Sequence, residues 1–262
     1  MSDKTGISWA TATWNPVVGC TPISSGCKNC YARAMALRLK SMGQANYEQG
    51  FSVRCHKKML SKPISWKKPR NIFVVSMGDL FHKAVPFGFI RKVYMVMVKA
   101  NWHHYFILTK RIDRMVEFLE ENPEFREYSH MHHGISVCSS EESENIGKLA
   151  AIPDIRRFVS FEPLIDLPDG ISREWMNEIE WVVIGGESGP GARGLPLFQD
   201  VRCFMDLCRD CGCKVFFKQF GTVDAHYLGL KSRKGDDPSE WTCEFTKDFR
   251  IQEYPDTGID NN

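Results

Sequence analysis

Three cysteines near the N-terminus, Cys20, Cys27 and Cys30, are spaced C-x6-C-x2-C in a loop rich in Gly, Pro and Ser. A helical pattern begins directly after Cys30. Three thiolates on one flexible loop can hold three irons of a cubane [4Fe–4S] cluster and leave the fourth iron for another ligand. Zinc wants four closed ligands, or three and a water. Three close cysteines without a fourth nearby therefore lean towards iron–sulfur. The alternatives are a structural zinc site and three unrelated free thiols.

The elements that must carry this loop are legible in the apolar pattern. Short runs rich in Val, Ile and Phe fall at 11–14, 71–77, 105–109, 134–137, 157–161, 181–184 and 214–217. Most are continuous rather than alternating, as strands buried on both faces are. Helical spacing lies between them, over 31–41 with Gly43 as its stop, from Pro86 to about Ala100, over 111–121, and over 200–210. Ser139 to Glu142 has the form of a capping box ahead of Ile146 and Leu149. Repeated strand–helix units predict an α/β protein with a parallel sheet covered by helices. About seven units without a dinucleotide glycine fingerprint predict a partial (β/α)6-7 TIM-type barrel over residues 1–225. Residues 226–262 are expected to form a C-terminal extension, either a lid or a surface tail. In such a barrel, chemistry sits past the C-terminal ends of the strands. The cysteine loop follows the first strand.

Bulk composition is that of an ordinary globular chain: 262 residues, 43% hydrophobic, 25% charged. No apolar run is long enough to predict a membrane span, and residues 1–6 carry no signal-type apolar region. A cytoplasmic location is the expectation, and ten cysteines there are more readily ligands or small hydrophobes than disulfides. The net charge of +2 does not by itself argue for nucleic acid. Locally, seven of the 17 residues from Arg54 to Arg70 are Lys or Arg, with no acid and with Trp66 among them. This stretch is either a path for a phosphate backbone with a stacking ring, or a solvated loop. Cys203, Cys208, Cys211 and Cys213 are expected to be buried thiols, and His130, His132 and His133 a surface cluster.

A three-cysteine loop after strand one of a partial barrel resembles the radical S-adenosylmethionine (SAM) superfamily. More closely, the chain is similar to a phage-associated family grouped with that superfamily. The matching stretches are 14–20, 26–32, 76–82, 108–111, 160–164, 185–191 and 216–221. The commonest superfamily spacing is C-x3-C-x2-C with an aromatic residue before the third cysteine. Here the first gap is six and the preceding residue is Asn29, so Tyr31 is the nearest ring. The resemblance implies a [4Fe–4S] cluster on Cys20, Cys27 and Cys30, with SAM on the open iron. One electron would release a 5′-deoxyadenosyl radical, which takes a hydrogen atom from substrate. The cofactors carry that chemistry and the protein positions them.

On this scaffold the resemblance implies SAM contacts from Ser76, Gly78, Asp79, Lys110, Ser136 and Glu162, with Ser160 a further ribose candidate. It implies substrate contacts from Arg111, Gly186, Glu187, Arg193 and Lys218, and more weakly from Gln219. A flavodoxin-like or ferredoxin-like protein would supply the electron. The phage association points to DNA or a nucleotide as substrate, with rearrangement of a modified thymidine as the specific version, in the host cytoplasm. The alternatives are a repair enzyme resembling spore photoproduct lyase, and a non-enzymatic, zinc-stabilised nucleic-acid-binding protein.

Overall fold

The computed structural model describes residues 5–259; the first four residues of the stretch examined for a signal lie outside them. In chain order the strands are β1 (Ala12–Trp14), β2 (Val17–Val18), β3 (Arg54–Cys55), β4 (Asn71–Val74), β5 (His104–Thr109), β6 (Met131–Ser136), β7 (Arg156–Phe161), β8 (Trp181–Gly185) and β9 (Lys214–Gln219). The helices are α1 (Tyr31–Ser41), α2 (Lys62–Ser65), α3 (Phe87–Lys99), α4 (Ile112–Glu121), α5 (Glu144–Ala150), α6 (Arg173–Asn177), α7 (Phe198–Asp210) and α8 (Thr222–Tyr227). β1 and β4 to β9 form one seven-stranded, all-parallel sheet in sequential order, while β2 and β3 pair antiparallel beside it. Sequential parallel strands with helical crossovers are the winding of a (β/α) barrel. β1 and β9 do not pair, so the barrel is partial. None of the described helices is long and apolar enough to cross a membrane.

The sheet's two faces bury different things. Ile72, Val74, Tyr105, Ile107, Val159, Val182 and Val215 pack with Val93, Met115, Leu149 and Met205 of the covering helices. The alternate positions, Phe73, Phe106, Phe158, Trp181 and Phe216, face the concave side and gather round Trp9. Trp9 lies 4.8 Å from Phe73 and 5.6 Å, edge-on, from Trp181. Such tilted pairs place ring edges on ring faces. The interior below the mouth is thus a packed aromatic plug. Gly134 leaves room for the Phe158 ring, which any Cβ at 134 would strike.

The histidines depart from expectation. His132 and His133 are interior residues of β6, and His130 is buried just before it, so the three are no surface cluster. His132 stacks on Phe106 at 4.5 Å. Neither ring nitrogen of His133 meets a partner, and burial pushes this imidazole down to about 3. Cys208, Cys211 and Cys213 are buried as expected, while Cys203 is exposed. The Ser139 capping box does not form: Glu142 instead accepts the Cys138 amide at 2.5 Å.

Past β9, the chain returns along the sheet edge. Phe217 donates to the Ile251 carbonyl at 2.8 Å and Glu253 donates to that of Val215 at 2.9 Å. Trp241 and Phe249 bury against Phe217 and Phe220.

Two stability outcomes follow from this packing. Gly134→Ala forces the Phe158 ring to move and lowers stability by about 1–3 kcal/mol, the usual cost of overpacking, measured by urea denaturation. The buried histidines bind protons in the unfolded chain near pH 6.5 but not in the folded one. With the buried His133 pushed down to about 3 and the half-buried His104 to about 4, their contribution to stability is full above pH 6.5 and declines as pH falls from there towards 4. Urea midpoints taken across that range measure the decline.

Candidate functional site

Because all seven strands run parallel, the loops after β1 and β4 to β9 open at one edge of the sheet. The cysteine loop is rooted there by backbone. Gly19 donates to the Met77 carbonyl at 2.9 Å, and Gly78 pairs with Gly19 in a parallel bridge. Gly19 holds φ +84, the left-handed region that glycine enters without Cβ strain. Val75 also has positive φ, 62°, and turns the chain sharply after β4. The Ser76 carbonyl that follows accepts the Tyr31 hydroxyl at 2.6 Å, leaving the Tyr31 ring exposed.

A buried ion pair fixes the first cysteine. Asp79 accepts from Thr109 Oγ1 at 2.7 Å, the Phe81 amide at 2.9 Å, the Lys110 amide at 3.4 Å and Arg111 at 2.7 Å. Arg111 also donates to Cys20 Sγ at 3.3 Å and to the Thr21 carbonyl at 2.8 Å. Burial and Asp79 raise the Cys20 thiol, and Arg111 opposes both. His82, missed as a site residue although its motif was noted, accepts the Ala84 amide on Nδ1. Its proton therefore sits on Nε2 and is donated to Thr21 Oγ1 at 2.9 Å.

A second cluster lies on the concave face, where Ser136, Cys138, Ser160 and Glu162 continue the alternation of Gly134 and Phe158. Lys110 Nζ donates to Cys138 Sγ at 2.6 Å, and the Cys138 thiol donates to the Glu162 carbonyl at 3.4 Å. Burial raises the thiol and Lys110 opposes it. Burial lowers Lys110, but Cys138, Glu142 and Cys27 outweigh it and hold the ammonium above its ordinary value. Cys138 abuts Gly26, where a Cβ would collide with it. Sequence reasoning overlooked Cys138. Its signal was its place two residues past Ser136, on the same face at the strand's C-terminal end.

The loop after β8 closes over the cysteine loop. Glu187 accepts from Asn29 Nδ2 at 3.0 Å and from Arg193 through its amide at 2.9 Å, Nε at 2.8 Å and Nη2 at 2.5 Å. Asn29 also donates to the Gly191 carbonyl at 2.8 Å, and Arg193 to that of Ser25 at 3.2 Å. An amide thus clamps two loops together directly before the third cysteine. Burial pushes the Glu187 carboxyl up, but Arg193 and Asn29 prevail and hold it below its ordinary range. Gly186 offers its carbonyl to Gln219 at 2.8 Å. Glu162 pairs with Lys218 at 2.7 Å and accepts from Ser160 at 3.3 Å, and Ser136 donates to the Glu162 carbonyl at 3.1 Å.

All the sequence-derived site residues therefore lie at this one edge. Asp79, Arg111, Glu187 and Arg193 turn their polar atoms onto the loops around them. Ser136, Ser160, Glu162 and Lys218 line the concave side. Trp66 does not serve as a stacking platform: it is buried, with the Arg70 guanidinium 4.9 Å from its ring centre. Among the described residues no three His, Cys, Asp or Glu side chains converge to hold a single metal ion. The donor set still fits an iron–sulfur cluster in type: three thiols on one loop, with Arg111 and Lys110 beside them to offset thiolate charge.

The class this defines is an open parallel (β/α) barrel with a thiol-bearing loop folded across its C-terminal mouth. Residues 4–247 match the profile of the family described as "Protein of unknown function (DUF5131)", and the chain belongs to that family. No curated protein matches the sequence. Among solved structures the chain is similar to a spore photoproduct lyase mutant with bound AdoMet and dinucleoside spore photoproduct. The two share 10% identity at a TM-score of 0.38, over 89% of this chain and 71% of that one.

The ion pairs differ in depth, and their loss differs accordingly. Arg111→Met strands the nearly buried Asp79 carboxylate and destabilises by about 3–5 kcal/mol. Lys218→Met leaves the more open Glu162 and costs about 1 kcal/mol or less. Guanidinium denaturation of the two variants checks the order.

Proposed function

We propose that this chain is a radical SAM enzyme. The observation that carries the reading is the placement of Cys20, Cys27 and Cys30 on one loop at the barrel mouth, with Arg111 on Cys20 and Lys110 against Gly26, the residue before Cys27. In this reading the three thiolates hold a [4Fe–4S] cluster, which supplies the electron that cleaves SAM to a 5′-deoxyadenosyl radical.

The chain's own residues have separable tasks. Arg111, held by Asp79, orients Cys20 and offsets its thiolate charge. Asn29, Glu187 and Arg193 close the β8 loop over the cysteines and exclude water from the mouth. The polar groups assigned to SAM are Lys110, Ser136, Ser160 and Glu162 on the concave side, together with the backbone of Ser76 and Gly78 after β4. Lys218 shares Glu162 and is the candidate for a substrate or ribose contact. A small flavodoxin-like or ferredoxin-like donor would deliver the electron. The finer reading of the substrate is a nucleobase of DNA, isomerised or otherwise modified. It is supported by the exposed lysines Lys57, Lys58, Lys67 and Lys68 within one acid-free stretch of chain.

Anaerobic reconstitution with iron and sulfide, then dithionite and SAM, is expected to yield a brown protein that forms 5′-deoxyadenosine. Cys27→Ala is expected to abolish both colour and product. A colourless protein that binds zinc and forms no product would replace this reading with the structural-metal one.

A further inference from the structure

The charge of this chain is divided between two regions. Residues 5–78 hold eleven Lys and Arg against a single acid, Glu48, whereas residues 79–259 hold 22 against 29. The ion pairs divide in the same way. All those formed among the described residues lie at or beyond Asp79. Nine exposed cations at 28, 33, 38, 40, 54, 57, 58, 67 and 68 have no ion-pair partner among the described residues. Like charges left unneutralised on one flank are costly without a counter-charge.

The same flank exposes apolar surface. Ile23, Tyr31, Met35, Leu37 and Met42 are between 42% and 60% exposed, and four of them lie on α1 or at its end. Only Ala32 and Ala36 of that helix are buried. At helical spacing Arg33, Leu37 and Lys40 share one flank of α1, and Tyr31, Met35, Arg38 and Met42 the other. The small residues Ala34 and Ser41 stand outermost. Cations and apolar side chains are thus mixed on both flanks. A helix lying in a membrane surface instead segregates them into opposite faces. Mixing fits a strand of nucleic acid, which offers phosphates and base faces in turn. α1 starts at Cys30, and its first residue, Tyr31, reaches the Ser76 carbonyl, so the surface runs into the mouth. Beneath it Ala32 and Ala36 pack with Tyr47 and Phe51, and the chain beyond them runs to β3 and the exposed Lys57 and Lys58.

We propose that α1, with the adjoining β3 arm, is a docking surface for an unpaired strand of nucleic acid, led past Tyr31 into the barrel mouth. This rests on the proposed function only in making that strand the substrate; the surface itself needs neither cluster nor SAM. The test is fluorescence anisotropy with a labelled single-stranded oligothymidylate over a range of salt. The wild-type protein should bind with a strong inverse salt dependence. In the variant Arg33→Glu/Arg38→Glu/Lys40→Glu the log–log salt slope should fall in magnitude by about 2, at about 0.7 for each lost phosphate contact. The variant should retain its circular dichroism and its 5′-deoxyadenosine formation. Absence of wild-type binding, an unchanged slope in the variant, or binding to phosphatidylserine vesicles but not to the oligonucleotide would overturn the proposal. Loss of 5′-deoxyadenosine formation in the wild type with oligonucleotide binding intact would instead overturn only the radical SAM reading.

Discussion

The mouth of this barrel depends on the Asp79–Arg111 pair. A carboxylate taken almost wholly out of water must be matched by donors, and Asp79 receives them from Phe81, Thr109, Lys110 and Arg111. That demand immobilises the guanidinium, whose remaining N–H groups then have fixed directions. They point at Cys20 and the Thr21 carbonyl. The cysteine loop, which on composition alone would be mobile, is thereby registered against β4 and β5. An Arg suits this place because its planar fork serves two partners at once, which the single point charge of a lysine does not.

The second constraint is steric. Parallel strands bring their C-terminal ends together whatever their sequence, but a mouth is useful only if loops can approach one another. Glycine at 26 admits the Cys138 sulfur, and glycine at 19 admits the carbonyl oxygens of Phe51 and Ser52. Below the mouth the opposite solution holds. Trp9, Phe106, Phe158 and Trp181 fill the concave side below the mouth and leave the C-terminal edge of the strands as its open side. The polar layer from Ser136 to Lys218 sits directly above that plug.

How much of this the chain discloses depends on whether a property is periodic. Seven strands and the long helices are repeating patterns, and α1 spans the residues its spacing indicates, 31–41. The cysteine loop is legible because three reactive residues of one type sit close together. Pairings between distant segments have no such local mark. Nothing near Asp79 says that Arg111 will claim it, and nothing near Asn29 points to Glu187, 158 residues on. A lone cysteine just past a strand reads as a small hydrophobe, and only the neighbouring strand's end gives Cys138 a lysine. The histidines failed for the reverse reason. Polarity suggested a surface, yet aromatic stacking lets a neutral imidazole lie in a core.

Trp66 shows how one such error propagates. A ring within a run of lysines suggests a stacking platform, but Trp66 buries itself under Arg70 and beside His103. An exposed ring lies instead 35 residues towards the N-terminus, at Tyr31, whose hydroxyl is tied to the Ser76 carbonyl while the side chain stays uncovered. The tether that holds α1 to the turn after β4 is thus the contact that keeps an exposed ring at the mouth. The cysteine loop, the exposed ring and nine exposed cations belong to one continuous stretch of chain, residues 20 to 68, inserted between β1 and β4. The barrel supplies the concave face, and this single insertion supplies both the thiols and the exposed side chains beside them.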